Sequence, residues 1–447
     1  MFSPRFSDAG VAGLPRAAVP HRIIIVGGGA GGLELAARLG DDIADRDKVD
    51  ILLVDAAPTH LWKPLLHEVA AGTLGPHENE IDFLQLARRH GFHFHLGRLE
   101  GIDRGQRQIR LAALIDESGL EIAPRRTLAY DTLVVAIGAT DNDFGTPGVA
   151  EHTFSLNDMG EAERFHRRLL ALCTRAELGK AEPVHVAIVG GGATGVELAA
   201  ELNSAGDEIA SYGMQLQQLR RPLRISIIEA GPRLLNAMPQ EVVNRVIDDL
   251  RQRDIDIRLG KRVIRIAADS VELDGGERIA ADLTVWAAGV KGQGVMKTLG
   301  DLEINRQQQL VVRPTLQTTV DDNIFALGDC ASCPPRSGKP APPTAQAARQ
   351  QAALLARSLR RRLAGKPLPV FEFHERGSLL ALGRDEAVGS VDSPAGRGFT
   401  ISGWLARFSY WILYRRHLAV LLGIPQTVLL TVGQWLAGRS QPRVKLH

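Results

Sequence analysis

The sequence predicts an α/β chain built on two tandem copies of one βαβ unit, closed by a small C-terminal region of α+β and helical character. Three observations carry that expectation. An apolar run, Ile23 to Val26, leads into Gly27, Gly29 and Gly32 on a G-x-G-x-x-G spacing, and a helical stretch follows from Leu33 to Leu39. The same order returns in VHVAIVGGGATGVELAAEL, where Gly190, Gly192 and Gly195 match the first three glycines. From Ser393 onward the chain carries six Arg and one Lys but no Asp or Glu, and from about residue 403 it is apolar and helical in period.

The glycine spacing has a specific physical use. The first glycine permits a tight turn, the second lets backbone approach a pyrophosphate, and the third lets helix and strand pack closely. Such a unit also needs an acidic side chain about 20 residues on, at a strand end, for ribose hydroxyls. Val49 to Val54 supplies the strand and Asp55 the acid. In the second copy Ile225 to Ile228 is the strand and Glu229 the acid, with an insertion around residues 205–221. The repeat therefore predicts two Rossmann-like dinucleotide-binding folds.

Between these landmarks the reading is coarser. Residues 1–21 form an N-terminal extension, and residues 59–74 form a loop entering a short helix. Phe92 to Leu99 and Ile109 to Leu114 alternate like strands of a small antiparallel insert. Tyr130 to Gly138 and Leu283 to Gly289 are matching apolar strands, and Ser155 to Leu178 is a connecting helix. Ile324 to Leu327 is a short strand ended by Gly328-Asp329, with a helix beginning near Thr344. Phe371 to Phe373 and Ser378 to Leu382 are expected strands of the C-terminal region. The boundaries are 22–155 with 313–365 for the first unit, 156–312 for the second and 366–447 for the C-terminal region.

Composition narrows the class. A chain of 447 residues, 45 % hydrophobic and 23 % charged, is an ordinary folded protein of two or three domains. A net charge of +2 argues against a nucleic-acid partner. Three cysteines exclude a disulfide framework, the start lacks an apolar signal region, and no uninterrupted apolar run is long enough to span a bilayer. These features place the protein on the cytoplasmic side. Trp404, Leu405, Phe408, Trp411 and Ile412 share one helical face flanked by Arg407, Arg415 and Arg416. That is the profile of an interfacial anchor on anionic lipid, within a helical stretch of about residues 403–436. A helix pair packed on the core, or a homodimer contact, is the alternative. Cys330 and Cys333 form a C-x-x-C, but neither βα region holds a cysteine pair, so no redox disulfide and no metal site is expected.

Two dinucleotide sites in one chain suit a bound flavin and a visiting nicotinamide nucleotide. The first site suits the flavin because the late Gly328-Asp329 element can reach back to it. Glu229 favours NADH by accepting from a 2′-hydroxyl and repelling a 2′-phosphate, with Arg233 nearby. The arrangement resembles the two-dinucleotide-binding-domain flavoproteins over roughly residues 20–390. HLWKPLLHEVAAGTL (60–74), GGGATGVELAAEL (190–202), LGDCASCP (327–334), AQAARQQA (345–352) and the terminal PRVKLH resemble more narrowly the type II NADH:quinone dehydrogenases.

That resemblance implies a non-pumping respiratory enzyme on the cytoplasmic face of the cell membrane, with tightly bound FAD, passing electrons from NADH to a membrane quinone. It implies that Lys63 and Pro64, with Leu65, lie along the flavin and that Asp329 hydrogen-bonds its ribityl or phosphate part. It implies further that Gln346 and Gln350 flank the ring where quinone approaches, and that Glu197 lies near the nicotinamide. Two other functions share the fold: a soluble reductase of a rubredoxin- or ferredoxin-type protein, and a non-catalytic NADH sensor.

Overall fold

The computed structural model describes residues 20–42, 48–75, 79–116, 118–179, 182–213, 215–219, 221–335, 340–383, 386–392, 398–437 and 444. The N-terminal extension, apart from its last two residues, and the PRVKLH end, apart from Val444, lie outside the described residues.

Each glycine motif sits at the carboxyl end of a central strand in a parallel sheet. The first sheet runs in the order Ile324–Ala326, Thr132–Val135, His21–Val26, Val49–Asp55, His93–Leu96. The second runs Asp256–Leu259, Leu223–Glu229, Val184–Val189, Leu283–Trp286. All pairings in both sheets are parallel. Ile23, Ile24, Ile25, Ile188 and Ile227 are fully enclosed, as apolar strands covered on both faces must be. The insertion in the second copy is a longer helix, Ala193–Ser211 against Ala30–Asp42, followed by a short turn at Leu216–Gln218.

Two expectations are corrected. The antiparallel insert exists, but its strands are Leu99–Asp103, Gln108–Leu111 and Arg126–Ala129, whereas His93–Leu96 joins the first parallel sheet. An edge strand is covered on one side only, so His93–Leu96 alternates in exposure and imitates an antiparallel strand. Phe371 to Phe373 is not a strand. It is an extended segment in which Phe371 N donates to the Pro314 carbonyl at 2.7 Å. Trp404–Gln434 is long and apolar enough to cross a membrane by length and composition only when it is counted as one helix across its break at Gly423. Arg407, Arg415, Arg416 and Gln426 interrupt it, so a search for an unbroken apolar run passes over it.

That helix, Trp404–Ala437, breaks at Gly423 (φ 72°, ψ 163°), just before Pro425. Arg415 Nη2 donates to Gln434 Oε1 at 2.8 Å, although 19 helical residues would span about 28 Å if straight. The two segments, 404–422 and 424–437, therefore fold back on each other as a hairpin. Its inner side, Tyr414, Leu418, Leu421 and Leu422, completes the core of the first unit. Its outer side exposes Trp404 (73 %) and Leu429 (72 %), with Phe408, Ile424 and Val428. One face of this stretch thus packs on the protein, and another apolar face is exposed among the described residues.

The units interlock. Leu66, Val69, Ala70 and Ala71 from the first half of the chain pack in the core of the second unit. Met296, Leu299 and Leu302 pack in the core of the first, although they precede residue 313. The three-stranded antiparallel sheet Ser378–Leu382, Glu386–Asp392, Gly398–Ser402 lies against the second unit through Leu380, Leu382 and Val388.

Candidate active site

The two glycine loops have the same construction. At Gly27 (φ 106°) a Cβ would run into the Ala136 carbonyl, and at Gly32 into the Gly27 carbonyl. Gly190 (φ 119°) meets the Ala287 carbonyl and Gly195 the Gly190 carbonyl in the same way. The middle glycines differ: a Cβ on Gly29 or Gly192 would find nothing within 4 Å. Close approach thus explains the outer glycines, and free space in front of the helix N-terminus explains the middle ones. Each loop fits a pyrophosphate.

The acids hold the loops. Asp55 accepts from Gly28 N at 2.5 Å and Ala57 N at 2.8 Å. Glu229 accepts from Gly191 N at 2.7 Å and Gly231 N at 2.6 Å. Each carboxylate therefore stands at the strand end, beside its glycine loop. Arg233 Nη2 is committed to the Met238 carbonyl at 2.6 Å.

The Gly328–Cys330 turn follows the edge strand Ile324–Ala326 of the first sheet, with Thr132–Val135 between it and the strand that carries the first loop. Its Asp329 carboxyl is pushed above the usual carboxylate range by burial, opposed by the Lys63 charge, and no side chain among the described residues hydrogen-bonds to it. A half-buried carboxyl of that kind fits a hydroxyl-bearing ligand. Lys63 and Pro64 open a short 3-10 turn, Lys63–Leu65. Cys330 and Cys333 are free and buried; the Cys330 thiol donates to the Leu327 carbonyl at 3.1 Å and burial lifts it to about 12. No group of metal-binding side chains occurs among the described residues.

Gln346 and Gln350 share a face of the helix Ala345–Leu363, as their spacing requires. Both amides are engaged. Gln346 accepts from Arg376 N at 2.9 Å and donates to the Gly377 carbonyl at 3.1 Å. Gln350 accepts from His374 N at 3.0 Å and donates to the His374 carbonyl at 2.8 Å. The pair clips the extended segment 371–377 to the helix.

Glu197 lies inside the protein, 8 % exposed, and accepts from Ala381 N at 3.0 Å. Glu68 and Glu201 are beside it, and Thr73 Oγ1 donates to Glu201 at 2.5 Å. Burial, then the neighbouring carboxylates, raise Glu197 to about 8 and Glu68 to about 7. His67 Nδ1 stands 4.0 Å from Glu197, but burial lowers His67 to about 4. At neutral pH both partners hold their uncharged forms, so the contact is not an ion pair.

A family model described as pyridine nucleotide-disulphide oxidoreductase matches residues 21–352. A type II NADH:quinone oxidoreductase of Haemophilus influenzae is 39 % identical over 443 residues, spanning 95 % of this chain and 99 % of that one. The chain belongs to the type II NADH:quinone oxidoreductases. A second relative of that name, from Staphylococcus aureus, is 27 % identical across 83 % of this chain and 89 % of its own. The solved structure of NDH2 from Plasmodium falciparum in complex with NADH matches the fold with a TM-score of 0.78 at 21 % identity, covering 95 % of this chain and 100 % of that one.

For a type II NADH:quinone oxidoreductase, several well-placed residues escaped the sequence reading. Gln351, beside Gln350, accepts from Gly328 N at 2.6 Å and fixes the Gly328-Asp329 turn. Glu201 lies four residues after Glu197 on the same buried helix face, a spacing open to inspection, yet helical acids are usually solvated. Glu68 and His60 had no signal beyond the 59–74 segment. His417 had none at all, because its partner is 357 positions away.

Proposed function

We propose that the first glycine loop holds FAD, the second admits NADH, and electrons leave to a membrane quinone on the cytoplasmic face. The observation that carries this reading is the pair of open loops at Gly29 and Gly192, in a chain that belongs to the type II NADH:quinone oxidoreductases. Asp55 receives ribose hydroxyls at the first loop and Glu229 at the second. The negative charge of Glu229, with Arg233 turned to the Met238 carbonyl, disfavours a 2′-phosphate and so favours NADH over NADPH.

FAD supplies the hydride-accepting and electron-donating chemistry when bound. Asp329 and Lys63 would hold its ribityl and phosphate part, and Pro64 would stiffen the segment along it. Gln346 and Gln350 keep the 371–377 segment in place on the quinone side. Glu197 is a neutral, buried acid at physiological pH and can donate or accept a hydrogen bond without charging the interior. The exposed apolar side of the hairpin seats the protein on anionic lipid, with Arg407 and Arg416 alongside. A soluble reductase has no use for that face, and an NADH sensor has no use for the clipped glutamine segment.

Gly29→Ala and Gly192→Ala separate the two sites. Neither added methyl meets protein, so both variants should fold. Gly29→Ala is expected to purify with little flavin, and Gly192→Ala to purify yellow while losing NADH binding. The reverse pattern would exchange the two assignments.

A further inference from the structure

The first glycine loop is tied to the membrane hairpin by two histidines. The Gly28 carbonyl lies 2.9 Å from His60 Nδ1, and His60 Nε2 lies 3.0 Å from His417 Nε2. A carbonyl only accepts, so His60 carries its proton on Nδ1 and, as a neutral ring, offers a lone pair at Nε2. His417 must then donate from Nε2, which leaves its Nδ1 bare. That atom is buried and has no hydrogen-bond partner among the described residues. Burial keeps both rings neutral. Trp62 packs on His417 at 4.1 Å between centroids, and His90 Nε2 bonds the Leu421 carbonyl one turn further along the hairpin at 2.7 Å.

This chain of contacts fixes one peptide plane. Gly28 is held at its N–H by Asp55 and at its carbonyl by His60. Across a trans peptide the next N–H, that of Gly29, points opposite to the Gly28 carbonyl, away from His60. The second loop solves the same problem locally: the Gly191 carbonyl accepts from Leu235 N at 2.9 Å. Only the first loop borrows its support from the C-terminal hairpin.

We propose that His417 is a positioning residue for the flavin: the seated hairpin holds the His60 ring by donating to its Nε2, His60 holds the Gly28–Gly29 peptide, and flavin retention and hairpin seating are thereby linked. The proposal rests on the reading that the first loop holds the flavin. A side chain that holds a ring through its second nitrogen is a familiar way to aim a binding group. Linkage makes the effect mutual, so bound flavin also favours the seated hairpin.

The test uses full-length, detergent-purified protein and follows flavin release by recovery of free-flavin fluorescence. His417→Phe keeps a ring against Trp62 but cannot donate; His417→Gln places an amide N–H near the former Nε2. His60→Asn can reach the Gly28 carbonyl with its own amide, without help from His417. His417→Phe is expected to release flavin about tenfold faster or more, and His417→Gln at close to the wild-type rate. In the His60→Asn background, His417→Phe should add nothing, and NADH binding at the second loop should be unchanged throughout. Release at the wild-type rate from His417→Phe overturns the proposal. So does an equal acceleration in the His60→Asn background, or a parallel loss of NADH binding, since either marks general loosening. Wild-type protein that carries no flavin would instead refute the assignment of the first loop before any variant is compared.

Discussion

Glu197 and Glu68 reach neutral pH largely protonated because water is excluded from them and their charges would repel. Both hold their protons more tightly in the folded chain than in the unfolded one. Their contribution to stability is therefore complete below the ordinary value of 4.5 and fades as pH rises through about 7 and about 8. Glu197→Gln keeps the acceptor for Ala381 N and removes one of these titrations. The fall in Tm of the wild type from about pH 5 to about pH 8 should be shallower in this variant; an identical slope would show that Glu197 ionises at its ordinary pH. Glu229 acts at the other site. Glu229→Gln can still accept from Gly191 N but no longer repels phosphate, so the preference for NADH over NADPH should narrow about tenfold, with flavin content unchanged. Steady-state KM for both nucleotides reads this directly. The acids at strand ends and the glycines were legible because their chemistry depends on local spacing. The Glu68–Glu197–Glu201 cluster was not, since Glu68 joins the helix that carries the other two from a distant segment and their burial comes from tertiary packing.

Elements show the same division. Parallel strands flanking the glycines declared themselves as apolar runs, but His93–Leu96 was misassigned because an edge strand alternates like an antiparallel one. Phe371 looked like strand and is instead an extended segment whose register comes from two glutamine side chains. Gln350→Ala removes both bonds to His374, and is expected to raise the quinone KM several-fold while leaving NADH reduction of the flavin unchanged. A rate-limiting change in the NADH half-reaction would move Gln350 to the nicotinamide side. In the hairpin, the amphipathic signal was legible and the fold-back was not, because Gly423 followed by Pro425 marks a helix break but not the direction the chain takes after it. Each large apolar side chain on the exposed face contributes about 2 kcal/mol on leaving water. Ile424→Lys with Leu429→Lys should therefore weaken binding to anionic vesicles about 100-fold or more. Unchanged co-sedimentation would place the lipid contact elsewhere.

At the scale of the whole molecule, function depends on parts that sequence order keeps apart. The hairpin completes the core of the first unit, the small C-terminal sheet completes the second, and the 66–71 helix from the first half packs under the second. The hairpin and the two glycine loops thus belong to one packed body, the arrangement that the proposed function needs for a lipid-soluble acceptor and a water-soluble donor to meet the same flavin. The most direct test is NADH-dependent reduction of a short-chain quinone by the full-length yellow protein in anionic-lipid vesicles, with NADPH in parallel. Rapid turnover with NADH, and much slower turnover with NADPH, is the expected result. A protein that NADH bleaches and quinone fails to reoxidise would contradict the account.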